Sequence, residues 1–504
     1  MSQEAILLTD SYKLDHRRQY PKGTERVYAN WTPRSKSYFK EAEEGAVVFG
    51  IQYLIKKYLI EDMNENFFKQ PKEKVVAAYA RRINTFLGPD NHIGTAHIEA
   101  LHDLGYLPIR IKALPEGSVC PIRVPAITVI NTKDEFFWLT NYFETLISSM
   151  MWLPMTSATS ARLYKQELLR HAKKTGFDNQ PGLDFLCHDF SMRGMAGVEA
   201  AIISGMAHMT SFSGSETLPA IQAVEEYYNA NTETEVVAGT VPATEHSVMC
   251  AGGKADEFET FKRLITEVYP KGFVSIVSDT WDFWQVMTDF LPRLKDIILA
   301  RDGRVVVRPD SGDPVNIICG LPGSDIQEML FEEIDENMPQ IKGAYEMLWE
   351  IFGGTINEAG YKVLNPKIGL LYGDFITLER QKEIYHRLEA KGFAATNLVL
   401  GIGSYTYQYK SRDSLGFAMK ATWCQVNGEG REIFKDPKTD NGVKKSLKGL
   451  ICVQKDENGK YFAIDQVTPE MEAQGELQTV FEDGRLMKDW TLAEIRNNIN
   501  STLK

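Results

Sequence analysis

Cysteine is scarce and scattered. The 504 residues hold six, Cys120, Cys187, Cys250, Cys319, Cys424 and Cys452, with no C-x-x-C or other paired spacing. That pattern argues against a disulfide framework and offers no zinc ligand set, so reduced thiols in a cytoplasmic setting are expected. Long apolar runs are missing as well: no stretch approaches the roughly 18 uncharged apolar residues that a membrane helix needs. The N-terminal MSQEAILLTDSYKLDH has no basic leader and reaches Asp10 after a short apolar run, so no secretory leader is expected. Positive charge is outnumbered, with 56 Lys plus Arg against 68 Asp plus Glu and a net charge of -12, which argues against general nucleic-acid binding. Repeats, low-complexity tracts and Pro/Ser-rich linkers are lacking too. The G-x-x-x-x-G-K-[ST] loop does not occur, and GIGS at 401–404 lacks the last glycine of G-x-G-x-x-G. Kinase-like and dinucleotide-dehydrogenase chemistry lose support accordingly.

What is present is an apolar content of 43%, enough core for two domains or for one large α/β barrel with additions. Five short apolar runs each end in a polar cluster. LDFLC precedes His188, Asp189 and Phe190; FVSIV precedes Ser278 and Asp279; RVVV precedes Arg308 and Asp310; IGLLY precedes Gly373 and Asp374; NLVL precedes Gly401 to Ser404. Helical patterns such as GMAGVEAAIISGMAHM, TWDFWQVMTDFL and FITLERQKEIYHRLEAKG lie between these runs. Continuously apolar strands alternating with helices predict a parallel sheet covered on both faces. In a barrel, the residues beyond the strand C-termini share one rim, so the clusters read as a single site. A doubly wound open sheet would give a similar rhythm. The expected organisation is therefore α/β: an N-terminal α+β segment over 1–150, an irregular (β/α) barrel over 151–409, and a β-containing segment over 410–504 that packs with the N-terminal one.

Each candidate also has a bland reading. Asp-Ser-Gly at 310–312 suits a turn, and Asp279 before TWDFW suits a helix N-cap. His246 in VPATEHSVM reads either as a surface loop histidine or as an acid/base or phosphate acceptor. His188 and His208 read as structural. Arg308, Asp279, Asp310 and Asp374 on one rim would combine a cation for phosphate or carbonyl oxygens with carboxylates for ribose hydroxyls or Mg2+. Backbone N–H groups of GIGS could cradle a phosphate. Arg34, Arg412, Lys420, Lys435, Lys444, Lys445 and Lys448 could supply a polyphosphate-binding wall, although most surface lysines are merely solvated.

In this order, TDSYKLDHRRQYP, HDFSMRG, VPATEHS, SIVSDTWD, VVVRPDSGDP, YGDFITL and IFKDP span almost the whole chain. Together they closely resemble the type II phosphoribosyltransferases of the nicotinate/nicotinamide family. The resemblance implies a homodimer with an irregular (β/α) barrel and a second mixed α+β domain built from the N- and C-terminal segments. It implies transfer from phosphoribosyl pyrophosphate to nicotinamide in NAD salvage, with Mg2+ and with ATP as a facultative co-substrate. Nicotinate as the base, or a non-catalytic binding protein on the same scaffold, are the alternatives.

Carried over motif by motif, Phe190 would stack on the pyridine ring, with Tyr12 of a second subunit on its other face. Ser275 and Arg308 would hold the carboxamide, with Glu216 beside it. Arg193, Asp310, Gly373, Asp374, Gly403 and Ser404 would surround the phosphoribosyl group and its 5'-phosphate. Arg34, Arg412, Lys420, Lys435 and Lys444 of a second subunit would line the pyrophosphate and ATP site. Asp279 and Asp310 would meet the metal mainly through phosphates and water, and His246 matches the phosphorylatable histidine. Two departures stand out: Glu216 in SGSETL replaces the usual aspartate and is one methylene longer, and Gly403-Ser404-Tyr405 replaces a run of glycines.

Overall fold

A computed structural model describes residues 4–322, 338–373, 375–434 and 447–503. The chain divides into two compact units. One comprises Met1–Thr159, Gln222–Asn231 and Lys410–Lys504; the other comprises Ser160–Ile221 and Thr232–Tyr409. The return of Gln222–Asn231 to the first unit follows from its aromatics. Tyr227 and Tyr228 pack on Tyr53 and Phe49 (ring centroids 4.9 and 5.1 Å), and the Gln52 side chain donates to the Tyr227 carbonyl at 2.6 Å.

In the first unit, N- and C-terminal segments interleave in a seven-stranded antiparallel sheet. Strand Thr24–Thr32 sits between Ala418–Val426 on one side and Ile127–Asn131 on the other. Its residues are buried almost throughout, since Val27, Tyr28, Ala29 and Trp31 meet core on both faces. The Trp31 ring lies flat on Phe417 at 5.1 Å, a contact that ties the two ends of the chain together.

The second unit is built on six parallel strands: β1 Cys187–Asp189, β2 Gly214–Ser215, β3 Lys271–Val277, β4 Asp302–Arg308, β5 Ile368–Tyr372 and β6 Leu398–Ile402. Their order is β2-β1-β6-β5-β4-β3. Apolar runs such as Val305–Val307 and Ile368–Tyr372 are buried end to end, as a sheet covered on both faces requires. β2 has only two residues, too short for any periodicity, and the apolar-run pattern missed it. The two edge strands are joined by an irregular seventh stave. Gly239 bridges to Gly214 of β2 and Ala243 bridges to Ser275 of β3, both in the parallel sense. Five hydrogen bonds fasten this seam: Gly239 N to Ser213 O (2.8 Å), Ser215 N to Gly239 O (3.4 Å), Ser275 N to Pro242 O (2.8 Å), Thr244 N to Ser275 O (2.9 Å) and Val277 N to Thr244 Oγ1 (2.9 Å). The result is an irregular (β/α) barrel. Among the described residues no helix is long and apolar enough to cross a membrane.

Candidate active site

The barrel interior encloses a cavity of about 520 Å³, lined near the strand C-termini by His188, Phe190, Glu216, Ser275 and Arg308. Val306, Leu371 and Val399 form its apolar wall, and Phe273, Arg304 and Asn397 continue it toward the opposite strand ends. A barrel of this kind usually fills its interior with side chains, so this much space marks a binding chamber.

Three buried polar atoms on the chamber wall make no hydrogen bond among the described residues: Ser275 Oγ, Arg308 Nε and His188 Nε2. Buried polar groups are nearly always satisfied, so unpaired ones facing a cavity point to a ligand. Arg308 is held in place by its other end, where Nη2 donates to the Thr244 carbonyl at 2.6 Å. Glu216 presents a carboxylate to the same space, pinned by a hydrogen bond from the Thr240 hydroxyl. His188 beside it, then Thr240 and Arg308, hold its carboxyl below the ordinary range against the opposing effect of burial. The chamber thus offers two donors, one acceptor and an aromatic face at Phe190.

At the rim, Asp279 has one oxygen engaged and one open. Its Oδ2 accepts from Asp310 N (2.8 Å), Ser311 N (2.7 Å) and Ser311 Oγ (2.6 Å), while Oδ1 is buried without a hydrogen-bond partner. The N-cap suggested for Asp279 falls instead to Asp282, which accepts from Gln285 N at 3.0 Å. Asp313 likewise caps the helix Pro314–Cys319 through Asn316 N. His246 opens the short helix His246–Ala251 with half its side chain exposed. Its Nε2 stands 3.7 Å from Asp279 Oδ1 and 4.0 Å from Asp310 Oδ2, and its Nδ1 stands 3.3 Å from Thr280 Oγ1.

The strand ends also gather the glycine-rich positions. A Cβ on Gly401 would fall 2.8 Å from the backbone of Gly373, and one on Gly373 would fall 2.4 Å from Asp310 Oδ1. Glycine at both positions therefore lets β5 and β6 close on the Asp310 turn. Ser404 lies against Gly194, where a Cβ would sit 2.1 Å from its hydroxyl, so the exposed Arg193 turn and the Gly403-Ser404 turn are neighbours.

Tyr12, Arg34, Arg412 and Lys420 belong to the first unit. Tyr12 is 57% exposed. Burial, and then the repulsion of nearby Arg412, lower the Arg34 guanidinium from its ordinary value. Asp374, Lys435 and Lys444 lie outside the described residues. Among those described, no group of three or more His, Cys, Asp or Glu side chains could hold a metal. The open Asp279 Oδ1 beside Asp310 would suit a hard divalent cation held partly by other oxygens, and not one caged by protein.

His208 keeps the structural role expected of it, with Nδ1 2.7 Å from the Tyr407 hydroxyl and Nε2 3.0 Å from the Gly214 carbonyl. Thr240, Thr244 and the chamber function of His188 escaped sequence reasoning. The available signals were the polar TVPATEH run for the two threonines and, for His188, its place directly after LDFLC.

Residues 185–485 match the nicotinate phosphoribosyltransferase family model, and residues 4–111 match the nicotinamide phosphoribosyltransferase N-terminal domain. The chain is 53% identical over 504 residues to a nicotinamide phosphoribosyltransferase of Acinetobacter baylyi, covering 98% of this chain and 97% of that protein. It is 35% identical to one of Mycoplasma pneumoniae, covering 88% of this chain and 94% of that protein. Two crystal structures share the fold. Nicotinate-nucleotide pyrophosphorylase from Pyrococcus furiosus gives a TM-score of 0.59 at 14% identity, over 99% of this chain and 95% of that one. Human nicotinic acid phosphoribosyltransferase gives 0.51 at 16%, over 98% and 93%. With collinear motifs, a barrel chamber and near full-length relatives in agreement, the chain belongs to the nicotinate/nicotinamide phosphoribosyltransferase family and is an enzyme of its nicotinamide-using branch.

Proposed function

We propose that the protein transfers a phosphoribosyl group from phosphoribosyl pyrophosphate to the ring nitrogen of nicotinamide, releasing pyrophosphate, and that His246 couples ATP hydrolysis to this reaction. The chamber's complementarity to a carboxamide carries the reading. A carboxamide has one acceptor oxygen and one donor NH2. Ser275 Oγ and Arg308 Nε are unpaired donors, and Glu216 is an acceptor-only carboxylate. Nicotinate would set its own carboxylate against Glu216, which disfavours the acid.

The ring nitrogen has a free lone pair, so no general base is needed. It attacks C1 of the ribose as the C1–O bond to pyrophosphate breaks, and the leaving group takes that electron pair. Phe190 and the chamber walls hold the base in line, and Asp310 faces the ribose. The Asp279 carboxylate keeps the Asp310–Ser311 turn in place. Mg2+, held on the phosphates near Asp279 and Asp310, would neutralise charge on the departing pyrophosphate. Arg34, Arg412 and Lys420 of a second copy of the chain serve the phosphates, and Gly373, Gly403, Ser404 and Arg193 serve the 5'-phosphate. The half-exposed His246 imidazole accepts the terminal phosphoryl of ATP on a ring-nitrogen lone pair, releasing ADP, beside the carboxylates of Asp279 and Asp310. A second copy of the chain would bring exposed Tyr12 over the base. Six free cysteines agree with a reducing, cytoplasmic setting.

Formation of nicotinamide mononucleotide, measured with and without ATP on wild type and His246→Ala, tests both parts. Wild type forms product from nicotinamide faster than from nicotinate, and ATP accelerates it. His246→Ala keeps residual activity and loses the ATP effect. Faster turnover of nicotinate overturns the assignment of the base, and ATP stimulation that survives in the variant removes His246 from the coupling.

A further inference from the structure

Glu216 has one more rotatable bond than aspartate would have, so its carboxylate needs fixing before it can read a base. Ordering a glutamate side chain costs rotamer freedom. Thr240 supplies one pin. The second comes from a residue that the sequence marks only as structural.

His188 is buried in the middle of β1 and lines the chamber. Its ring leans on Phe190, with centroids 4.7 Å apart and planes at 34°. Across the strand pair stands Gly214, where a Cβ would fall 2.6 Å from His188 Nδ1. Only glycine leaves room for the imidazole in this slot between the aromatic face and β2. The ring edge that remains carries Nε2, which has no hydrogen-bond partner among the described residues and lies 3.3 Å from Glu216 Oε1. The pair is close enough for charge pairing, although not aligned as a hydrogen bond.

We propose that His188 is a positioning residue for base selection, its Nε2 edge fixing the Glu216 carboxylate where it accepts the carboxamide N–H. The inference rests on the nicotinamide reading given above. It also explains why the ring beneath the base is a histidine packed on Phe190: one imidazole supports the stacking face and orients the acceptor.

The groups around Glu216 support a single direction of effect. His188 from β1, Arg308 from β4 and Thr240 from the seam all favour its ionised form. Asp189, the next residue of β1, is occupied by Thr217 Oγ1, Ser215 Oγ and Ser191 N, and His208 by Tyr407 and Gly214. A folded-state value below the ordinary carboxylate range keeps Glu216 an acceptor as the pH falls. Without His188, that acceptor is lost at a higher pH.

The test measures initial rates on full-length wild type, His188→Leu and His188→Gln, with nicotinamide and nicotinate varied in turn across a pH series. His188→Leu should raise KM for nicotinamide about tenfold, as expected when the close 3.3 Å contact that holds the carboxylate is lost. Its kcat and its KM for phosphoribosyl pyrophosphate should stay within about twofold, and the acid limb of the nicotinamide profile should move to higher pH. His188→Gln, which restores a donor at that edge, should bring KM back toward wild type. An unchanged KM and acid limb in His188→Leu overturns the inference while the nicotinamide reading stands. Equal loss of kcat, both KM values and thermal midpoint in both variants also overturns it, because packing alone then accounts for the histidine. A wild type that makes no mononucleotide from nicotinamide overturns the underlying reading and the inference together.

Discussion

Replacing Asp279 with asparagine isolates what one buried carboxylate does for the rim. Its Oδ2 accepts hydrogen bonds from Asp310 N, Ser311 N and Ser311 Oγ, all between 2.6 and 2.8 Å. A neutral hydrogen bond contributes about 1 kcal/mol net and a charge-assisted one roughly twice that. Asparagine keeps an acceptor oxygen and loses the charge, so each of the three bonds weakens by about 1 kcal/mol, about 3 kcal/mol in all. Expressed wholly as global stability, that loss lowers the melting midpoint by about 6–12 °C for a unit of this size. Expressed wholly as displacement of the Asp310 turn, it lowers kcat/KM for phosphoribosyl pyrophosphate by roughly a hundredfold. Scanning calorimetry and steady-state kinetics on the same preparation divide the loss between the two, with a smaller change in KM for nicotinamide because Arg308, 3.9 Å from Asp310 Oδ2, is also held by the Thr244 carbonyl. Wild-type melting together with wild-type kcat/KM would refute the idea that Asp279 holds this turn.

Phe190→Ala should raise KM for nicotinamide by about tenfold, since it removes an aromatic stack of roughly 0.5–1.5 kcal/mol and its contact area, with little effect on KM for phosphoribosyl pyrophosphate; equal effects on both substrates would count against stacking. Glu389, which does not line the chamber, is a stability sensor. Burial alone would raise its carboxyl, but hydrogen bonds from Lys174, His171 and Arg170 outweigh burial and bring it down from 4.5 to about 2. A depressed folded-state value contributes stability that is complete above the ordinary value and is lost as pH falls through the folded one. The urea midpoint of wild type should therefore fall more steeply between pH 4.5 and 2 than that of Glu389→Gln, and parallel curves would discount the network.

The rhythm of apolar run and polar cluster was enough to place Ser278, Asp279, Arg308, Gly373 and Gly403 at the ends of parallel strands, because buried strands must be apolar and strand ends need not be. The stave that closes the ring was not legible in the same way. Gly239–Thr244 forms isolated bridges in place of a ladder, so its polar residues follow no two-residue period. The pairing of His188 with Glu216 was hidden for a related reason: it depends on β2, two residues long, lying beside β1. Asp279 shows a third limit. Local pattern favours a cap for the next helix, whereas the tertiary fold gives that task to Asp282 and turns Asp279 toward a different strand's loop.

The seam has a consequence for how such a site can vary. Six staves of the barrel share continuous backbone pairing, and any length change there would disturb a neighbour's register. The seventh is tied to the edge strands at a few points and carries Thr240, which braces the base-reading carboxylate, six residues before His246. An insertion or deletion within that short span moves both residues at once. The reader of the base and the histidine assigned to phosphoryl chemistry are thus set by one length of chain, and neither can be re-tuned by changing that length without disturbing the other.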